Sequence, residues 1–288
     1  MTARVLVVGA AGLLGRYVVR TFAREHEVWA MRRTDLDVCD REQVERVLRA
    51  VRPQLVINCA AISDVDLCER DPELAFRVNA EGPWHLAEVC RAIEAALVHV
   101  STDYVFDGRK REPYTIADPP RPINRYGASK WAGEEAVRRT WERHYIIRAA
   151  RLFGLGGRNF ASSLPLLLRT RTSLPAIVDE VGSPTYAADL AARIAEILAR
   201  GQPGTYHITN SGACSWYEFA CEVARQLGCE GVRIEPVRSA DLNRPAERPP
   251  YTALRCLLSE QLGLAPLRSW SLALRDFLEE VRSHGALR

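Results

Sequence analysis

Tyr126-Gly127-Ala128-Ser129-Lys130 sets a phenol and an ammonium four residues apart. On a helix that spacing puts both on one face, one turn from each other. A cation beside a phenol stabilises the tyrosinate and lowers its pKa from a reference of about 10. Such a pair suits delivery of a proton to a carbonyl oxygen as the carbon takes up hydride, and positioned acid catalysis of this kind is worth roughly 10²–10⁴-fold. The lysine stands out: of 39 basic residues only Lys110 and Lys130 are lysines, and a compact ammonium on a flexible stem does work a guanidinium cannot. It can also bond a ribose hydroxyl of a bound dinucleotide. Ser101-Thr102-Asp103-Tyr104 closes a β-branched run, at the end of the strand where open α/β sheets hold ligands. Thr102 is expected to donate to the carbonyl oxygen and stabilise the developing oxyanion. Thr102, Tyr126 and Lys130 form the candidate catalytic set.

A hydride donor is implied by a second motif. Gly9-Ala10-Ala11-Gly12-Leu13-Leu14-Gly15 lies between an apolar strand and a helical pattern. Glycines there allow a tight turn and close approach of backbone to a pyrophosphate, with the helix N-terminus supplying N–H groups. Gly9, Gly12, Leu13, Leu14 and Gly15 are therefore expected to bind a dinucleotide. Arg32 and Arg33 follow the second strand; they are expected to pair with a 2′-phosphate, which makes NADPH the preferred cofactor and NADH the alternative. Asp37 and Val38 are candidates for the adenine, and Ala60 and Ala61 for the wall beside the cofactor. With Tyr126 and Lys130, these complete the expected cofactor contacts.

The elements that must position these residues alternate in the first half. Strands are expected at 5–8, 27–31, 55–59, 97–101 and 145–148, and helices at 13–24, 41–51, 72–92 and 125–139. That alternation predicts a Rossmann-like, doubly wound parallel sheet, with residues 1–150 as the dinucleotide-binding domain. Residues 151–288 are expected to form a smaller, mainly substrate-binding region that returns to the sheet at least once. Its helices are expected at 160–169, 187–199 and 272–281, with a strand at 205–209. Ser215-Trp216-Tyr217-Glu218 reads as a capping box, and 108–124, with four prolines, as a long connection.

Composition sets outer bounds. At 288 residues with 47% hydrophobic content the chain can bury a large core. A net charge of +3 with interleaved signs gives no nucleic-acid arm, and no apolar run reaches the ~18 residues of a membrane span. The eight cysteines include no CxxC pair, so no metal is expected. A cytoplasmic setting without nucleic-acid or membrane partners follows as the expectation.

The chain resembles the dTDP-4-dehydrorhamnose reductase family of extended short-chain dehydrogenases/reductases. Carrying the resemblance are the glycine turn, Asn58-Cys59-Ala60-Ala61, Val65-Asp66 with Glu69, Asn79 with Gly82-Pro83, and Ser101 through Gly108. Tyr126 to Lys130 with Gly133-Glu134, Asn159-Phe160, Asp179 with Gly182-Ser183-Pro184-Thr185, Ser215 to Phe219, and Arg248-Pro249 complete it. It implies NADPH-dependent reduction of C4 of a nucleotide-linked 4-keto-6-deoxyhexose, dTDP-4-dehydrorhamnose first among them, with a homodimer allowed. Related dehydratases carry two acids after the threonine. Asp103-Tyr104 has one, which favours simple reduction. Substrate contacts are expected from Thr102, Asp103, Tyr104, Arg151, Asn159 and Arg248. The family commonly shows Thr-Ser-Trp-Val-Tyr after its fifth strand, where this chain has Ala149-Ala150-Arg151-Leu152-Phe153; Arg151 is expected to meet a substrate phosphate or carboxylate, or to make a structural ion pair. Tyr17 stands where some relatives carry an acid that supports a metal-linked dimer. Two alternatives stay open: a reductase or epimerase for another sugar nucleotide or small carbonyl compound, and a non-enzymatic NADP-binding regulatory subunit, against which the intact Thr102/Tyr126/Lys130 set argues.

Overall fold

Val5–Val8 is apolar without a break because it runs through the middle of a sheet covered on both faces, where its side chains are at most 1% exposed. The computed structural model describes residues 2–229 and 231–285; the last three residues of the expected C-terminal region, 286–288, lie outside them. In chain order the first half comprises β1 (Arg4–Val8), α1 (Leu13–Phe22), β2 (Glu27–Met31), α2 (Arg41–Val51), β3 (Leu55–Asn58), α3 (Val65–Arg70), α4 (Pro72–Phe76), α5 (Gly82–Ala92), β4 (Ala96–Thr102), α6 (Arg125–Thr140) and β5 (His144–Ala149). The second half comprises β6 (Leu152–Phe153), α7 (Phe160–Thr170), β7 (Ser173–Ile177), β8 (Val181–Gly182), β9 (Thr185–Tyr186), α8 (Ala187–Arg200), β10 (Gly204–His207), β11 (Cys214–Ser215), α9 (Trp216–Leu227), β12 (Arg233–Val237), α10 (Leu257–Gln261) and α11 (Trp270–Ser283).

The main sheet has the order β10-β5-β4-β3-β1-β2, with all neighbours parallel. This is the Rossmann-like doubly wound fold expected from the alternation. The chain reverses direction across the sheet between β1 and β3, and ligands of such sheets bind at that switch point, outside the carboxyl ends of the strands. One face buries Leu14 and Val18 of α1 with Leu190 and Ile194 of α8 and Phe277 of α11. The opposite face buries Val44 and Leu48 of α2 with Leu86 of α5 and Val137 of α6. Residues 204–207 rejoin the sheet beside β5.

Two local expectations are corrected. The single helix over 72–92 is three segments, because a π turn at Arg77–Glu81 separates α4 from α5. The hydrophobic spacing runs on through the extra residue, so periodicity does not register it. Helix α3 was not anticipated; at six residues it is too short to show a periodic pattern, although Asp64 caps it by accepting from the Leu67 N–H at 2.9 Å. The capping box at Ser215 forms as its spacing predicts, with Glu218 Oε2 accepting from the Ser215 N–H at 2.6 Å.

Tyr17 and the C-terminal helix join the two halves. Glu280 of α11 accepts from the hydroxyls of Tyr17 and Tyr186 and pairs with Arg20 at 2.9 Å, while the Tyr17 oxygen accepts from the Leu155 N–H at 2.8 Å. Tyr17 is 3% exposed, so the glycine helix is anchored inward at this position.

Candidate active site

The glycine turn is shaped for a close visitor. Gly9 has φ +74°, and a Cβ there would sit 2.7 Å from the Ala60 nitrogen, which brings the ends of β1 and β3 together at the switch point. A Cβ on Gly15 would lie 2.3 Å from the Gly9 oxygen, so only glycine lets α1 start this close to the turn. Helix α1 carries no side-chain cap, leaving the first-turn N–H groups around Leu13 and Leu14 for an anion. These features fit a dinucleotide pyrophosphate.

The other expected cofactor residues border the same edge. Arg32 and Arg33 are exposed, and no salt bridge among the described residues holds either guanidinium. The acid within this turn, Asp35, accepts from the Arg32 backbone N–H at 2.9 Å. Asp37 accepts from the Cys39 N–H at 3.0 Å. Val38 is 4% exposed and packs on Gly82. Ala60 is fixed by Asn58, whose Oδ1 accepts from its N–H at 3.0 Å.

Helix α6 brings the reactive pair to the end of β4. A Cβ on Gly127 would lie 2.0 Å from the Tyr104 oxygen, and one on Gly133 2.1 Å from the Asn79 oxygen; the two glycines let the helix lie directly on backbone at both points. Asn124 caps it, accepting from the Gly127 N–H at 2.8 Å. Asn79, within the π turn, ties the loop after β3 to this helix: its amide bonds the Ile62 N–H and C=O at 2.9 and 3.0 Å and the Ser129 hydroxyl at 3.0 Å.

Tyr126 stands edge-on to Tyr104, ring centroids 5.8 Å apart, and its phenol neighbours the Thr102 hydroxyl. Thr102 is 5% exposed. It accepts from the Tyr104 N–H at 3.2 Å and directs its one proton to Asp103 Oδ1 at 3.0 Å. Donation to a substrate oxygen, as expected from sequence, thus requires that proton to turn. Lys130 is 2% exposed and donates to the Val100 carbonyl at 2.7 Å; burial lowers its pKa to about 8, opposed by Glu134. The expectation that this ammonium lowers the Tyr126 phenol is corrected: burial dominates and pushes the phenol up, because desolvation penalises tyrosinate more than the neighbouring Thr102 hydroxyl relieves it.

Behind the pair lies a buried ionic network that sequence reasoning missed. Glu134, one turn beyond Lys130, is fully buried; Arg148 of β5 binds it at 2.9 and 2.7 Å, and Ser101 donates to it at 2.5 Å. The available signal was a polar stripe, Tyr126, Lys130 and Glu134 recurring every fourth residue on α6.

Asp103 is the second buried acid. Burial raises its pKa to about 6 against the hydroxyls of Thr252 and Thr102 and the charge of Arg151, and its Oδ2 makes no hydrogen bond of good geometry among the described residues. A carboxyl whose folded pKa is raised binds a proton more tightly in the native state, so its stabilising effect is full below the unfolded value of about 3.9 and is lost as pH rises through about 6. Relative to wild type, Asp103→Asn is therefore expected to gain about 2 kcal/mol of stability between pH 4 and pH 7.5. Urea unfolding of both proteins at the two pH values measures it; parallel curves would mean that the carboxyl is solvated.

The remaining expected substrate residues divide. Arg151 has φ +45°, donates to the Cys214 carbonyl at 2.8 Å and lies 4.3 Å above the Trp216 ring. It makes no ion pair among the described residues. It borders Gly182 and Thr252, next to Asp103. Tyr104 is half-buried beside Asp103. Arg248 reaches across the molecule to Asp66 at 2.6 Å, and with the bond from Asn124 to the Glu247 carbonyl at 2.8 Å it holds the 245–250 loop over the site. Asn159 is apart from this group: its Oδ1 caps α7 at Ser162 and its amide donates to the Leu152 carbonyl. Trp216 and Thr252, which meet Arg151 and Asp103, were not among the expected site residues, being far from both in the chain.

Comparison with known proteins supplies an independent line. A family model described as RmlD substrate binding domain matches residues 3–283. The chain is 41% identical over 280 residues to a dTDP-4-dehydrorhamnose reductase of Streptomyces griseus, covering 95% of this chain and 92% of that protein. It is 37% identical to the spore coat polysaccharide biosynthesis protein SpsK of Bacillus subtilis, over 97% and 98% of the two chains. A crystal structure of dTDP-4-dehydrorhamnose reductase from Bacillus anthracis in complex with NADP superposes with a TM-score of 0.95 at 35% identity, covering 97% of this chain and all of that one.

Proposed function

The chain belongs to the RmlD substrate binding domain family, that of the dTDP-4-dehydrorhamnose reductases, and from that premise we propose that it reduces the C4 ketone of dTDP-4-dehydrorhamnose with NADPH. It is an NAD(P)H-dependent oxidoreductase of the short-chain dehydrogenase/reductase type acting on nucleotide-sugar ketones. The observation that carries the finer reading is that Tyr126 and Thr102 are neighbours at the end of β4, with Lys130 on the same helix face as the phenol.

When bound, the reduced nicotinamide supplies the hydride. The glycine turn at residues 9–15 and the wall at Ala60–Ala61 would hold its pyrophosphate and nicotinamide half, and Lys130 would bond its ribose. Tyr126 gives its proton to the oxygen at C4 as charge develops there, and Thr102 orients the phenol. Tyr104, Arg151 and Trp216 line the sugar side, and the loop held by Arg248 covers the nucleotide. Residues 1–150 thus serve the dinucleotide and residues after 150 mainly the substrate.

NADPH is favoured by Arg32 and Arg33, which stand exposed and unpaired by salt bridges among the described residues. Following nicotinamide absorbance with a panel of nucleotide-linked 4-keto sugars tests substrate and cofactor together. Turnover is expected with the dTDP-linked 4-keto-6-deoxyhexose, with kcat/KM higher for NADPH than for NADH. The preference should fall about ten- to a hundred-fold in R32A/R33A, the worth of one or two charge-assisted hydrogen bonds. An NADH preference untouched by that double variant rejects the cofactor assignment, and silence across the panel rejects the substrate.

A further inference from the structure

The structure assigns to Asn124 the positioning of the sugar nucleotide against the helix that carries Tyr126 and Lys130, an inference that rests on the reading above in which the 245–250 loop covers the nucleotide. The amide of Asn124 has two faces and uses them on different parts of the molecule. Its Oδ1 accepts from the Gly127 N–H at 2.8 Å and caps α6, and its Nδ2 donates to the Glu247 carbonyl at 2.8 Å. The residue is 6% exposed, so water competes little for either bond.

Helix α3 spans the same gap a second time. Asp66 and Glu69 lie three residues apart and therefore on one side of it. Asp66 Oδ1 accepts from the Ala246 N–H at 3.2 Å and from the Arg248 guanidinium at 2.6 Å, while Glu69 Oε2 accepts from the Arg125 N–H at 3.0 Å. Segments 66–69, 124–127 and 246–248, distant in the chain, are thus joined pairwise in a closed triangle. The other end of the loop is fixed by backbone: the Pro250 carbonyl accepts from the Val181 N–H, and the Thr252 N–H donates to the Val181 carbonyl, both at 2.8 Å. Pro249 and Pro250 pack on Gly108, where a Cβ would lie 2.6 and 2.8 Å from them. Backbone pairing therefore anchors the loop to the substrate half, and the Asn124 amide sets its register on α6. Without that amide the Glu247 carbonyl loses its partner, and the nucleotide has to order the loop at the expense of its own binding. NADPH, at the glycine turn, does not depend on the contact.

Asn124→Asp separates the two faces. A carboxylate caps a helix as well as the amide does but has no proton for the Glu247 carbonyl. The melting temperature should therefore stay within about 5 °C of wild type, and the Kd for NADPH within about two-fold. The KM for the nucleotide-linked 4-keto sugar, and the Kd for dTDP alone by calorimetry, should both rise about ten-fold, the effect of one hydrogen bond lost with its acceptor left unpaired. The kcat should change by less than about three-fold, because the lost binding is common to ground and transition states. If the Asp variant does not fold, Asn124→Ser, which also caps and has no amide, should give the same split. Unchanged dTDP binding in a folded variant reduces Asn124 to a helix cap, and NADPH weakened as much as dTDP makes it part of the scaffold; either result overturns the assignment. Wild-type protein that binds neither dTDP nor the keto sugar defeats the nucleotide-sugar reading itself, which is a separate failure.

Discussion

Tyr126→Phe is expected to lower kcat by about 10²–10⁴-fold while leaving NADPH affinity within a few-fold of wild type. The substitution removes one oxygen. The ring keeps its edge-on contact with Tyr104, and the backbone carbonyl of residue 126 still accepts from Ser129 at 2.8 Å, so the helix start that positions Lys130 is retained. What disappears is the phenol oxygen that sits beside Thr102 on the helix face of Lys130. Tyr104 is the natural control: its ring is adjacent and burial raises its phenol as it does that of Tyr126, but it does not share the helix face that carries Lys130. Tyr104→Phe should therefore cost less than ten-fold in kcat, an amount that points to contact rather than proton delivery. Steady-state kinetics with a fluorescence titration of NADPH checks both. Near-normal turnover in Y126F, or a larger loss in Y104F, would move the acid to the other ring.

Arg148→Met is expected to destabilise the fold by about 3–5 kcal/mol, the usual cost of stranding one partner of a buried ion pair. Glu134 is fully buried and Arg148 is 3% exposed. The guanidinium is also enclosed between Phe106 and Trp131, 5.2 and 5.7 Å from the ring centroids. Removing it leaves a carboxylate with Ser101 and the more distant Arg138. Glu134→Gln in the same background should restore about half the loss or more, since a neutral pair no longer has to be desolvated as ions. Urea unfolding of the two single variants and the double variant gives the coupling directly. A loss below 1 kcal/mol for R148M would mean that water reaches this pair and that it does not fix the end of β4 behind Thr102.

How much of this was legible beforehand differs element by element. The four-residue spacing of Tyr126 and Lys130 predicted their shared helix face, and α6 carries them there. The glycine spacing predicted a tight turn, and the clash distances around Gly9 and Gly15 explain why no other residue serves. Strands β1, β3, β4 and β5 were readable because parallel strands buried on both faces are largely apolar runs, whereas β2 is the mostly exposed edge of the sheet. The π turn was not, since one inserted residue leaves the hydrophobic pattern intact. Arg151 was expected to meet a substrate phosphate or carboxylate or to make a structural ion pair; among the described residues it makes no ion pair and lies on Trp216 and a carbonyl.

Periodicity and the local sterics of glycine and proline act over a handful of residues, so they are written along the chain; they were enough to place the doubly wound sheet, the dinucleotide turn and the Tyr126–Lys130 stripe. Desolvation depends on everything that closes over a group from distant parts of the chain. Folding alone therefore raised the Tyr126 phenol and the Asp103 carboxyl and lowered Lys130. It also brought Thr252 to Asp103 across some 150 residues of sequence, and locked Arg148 onto Glu134. Burial is a property of the assembled surface, and no spacing rule encodes it.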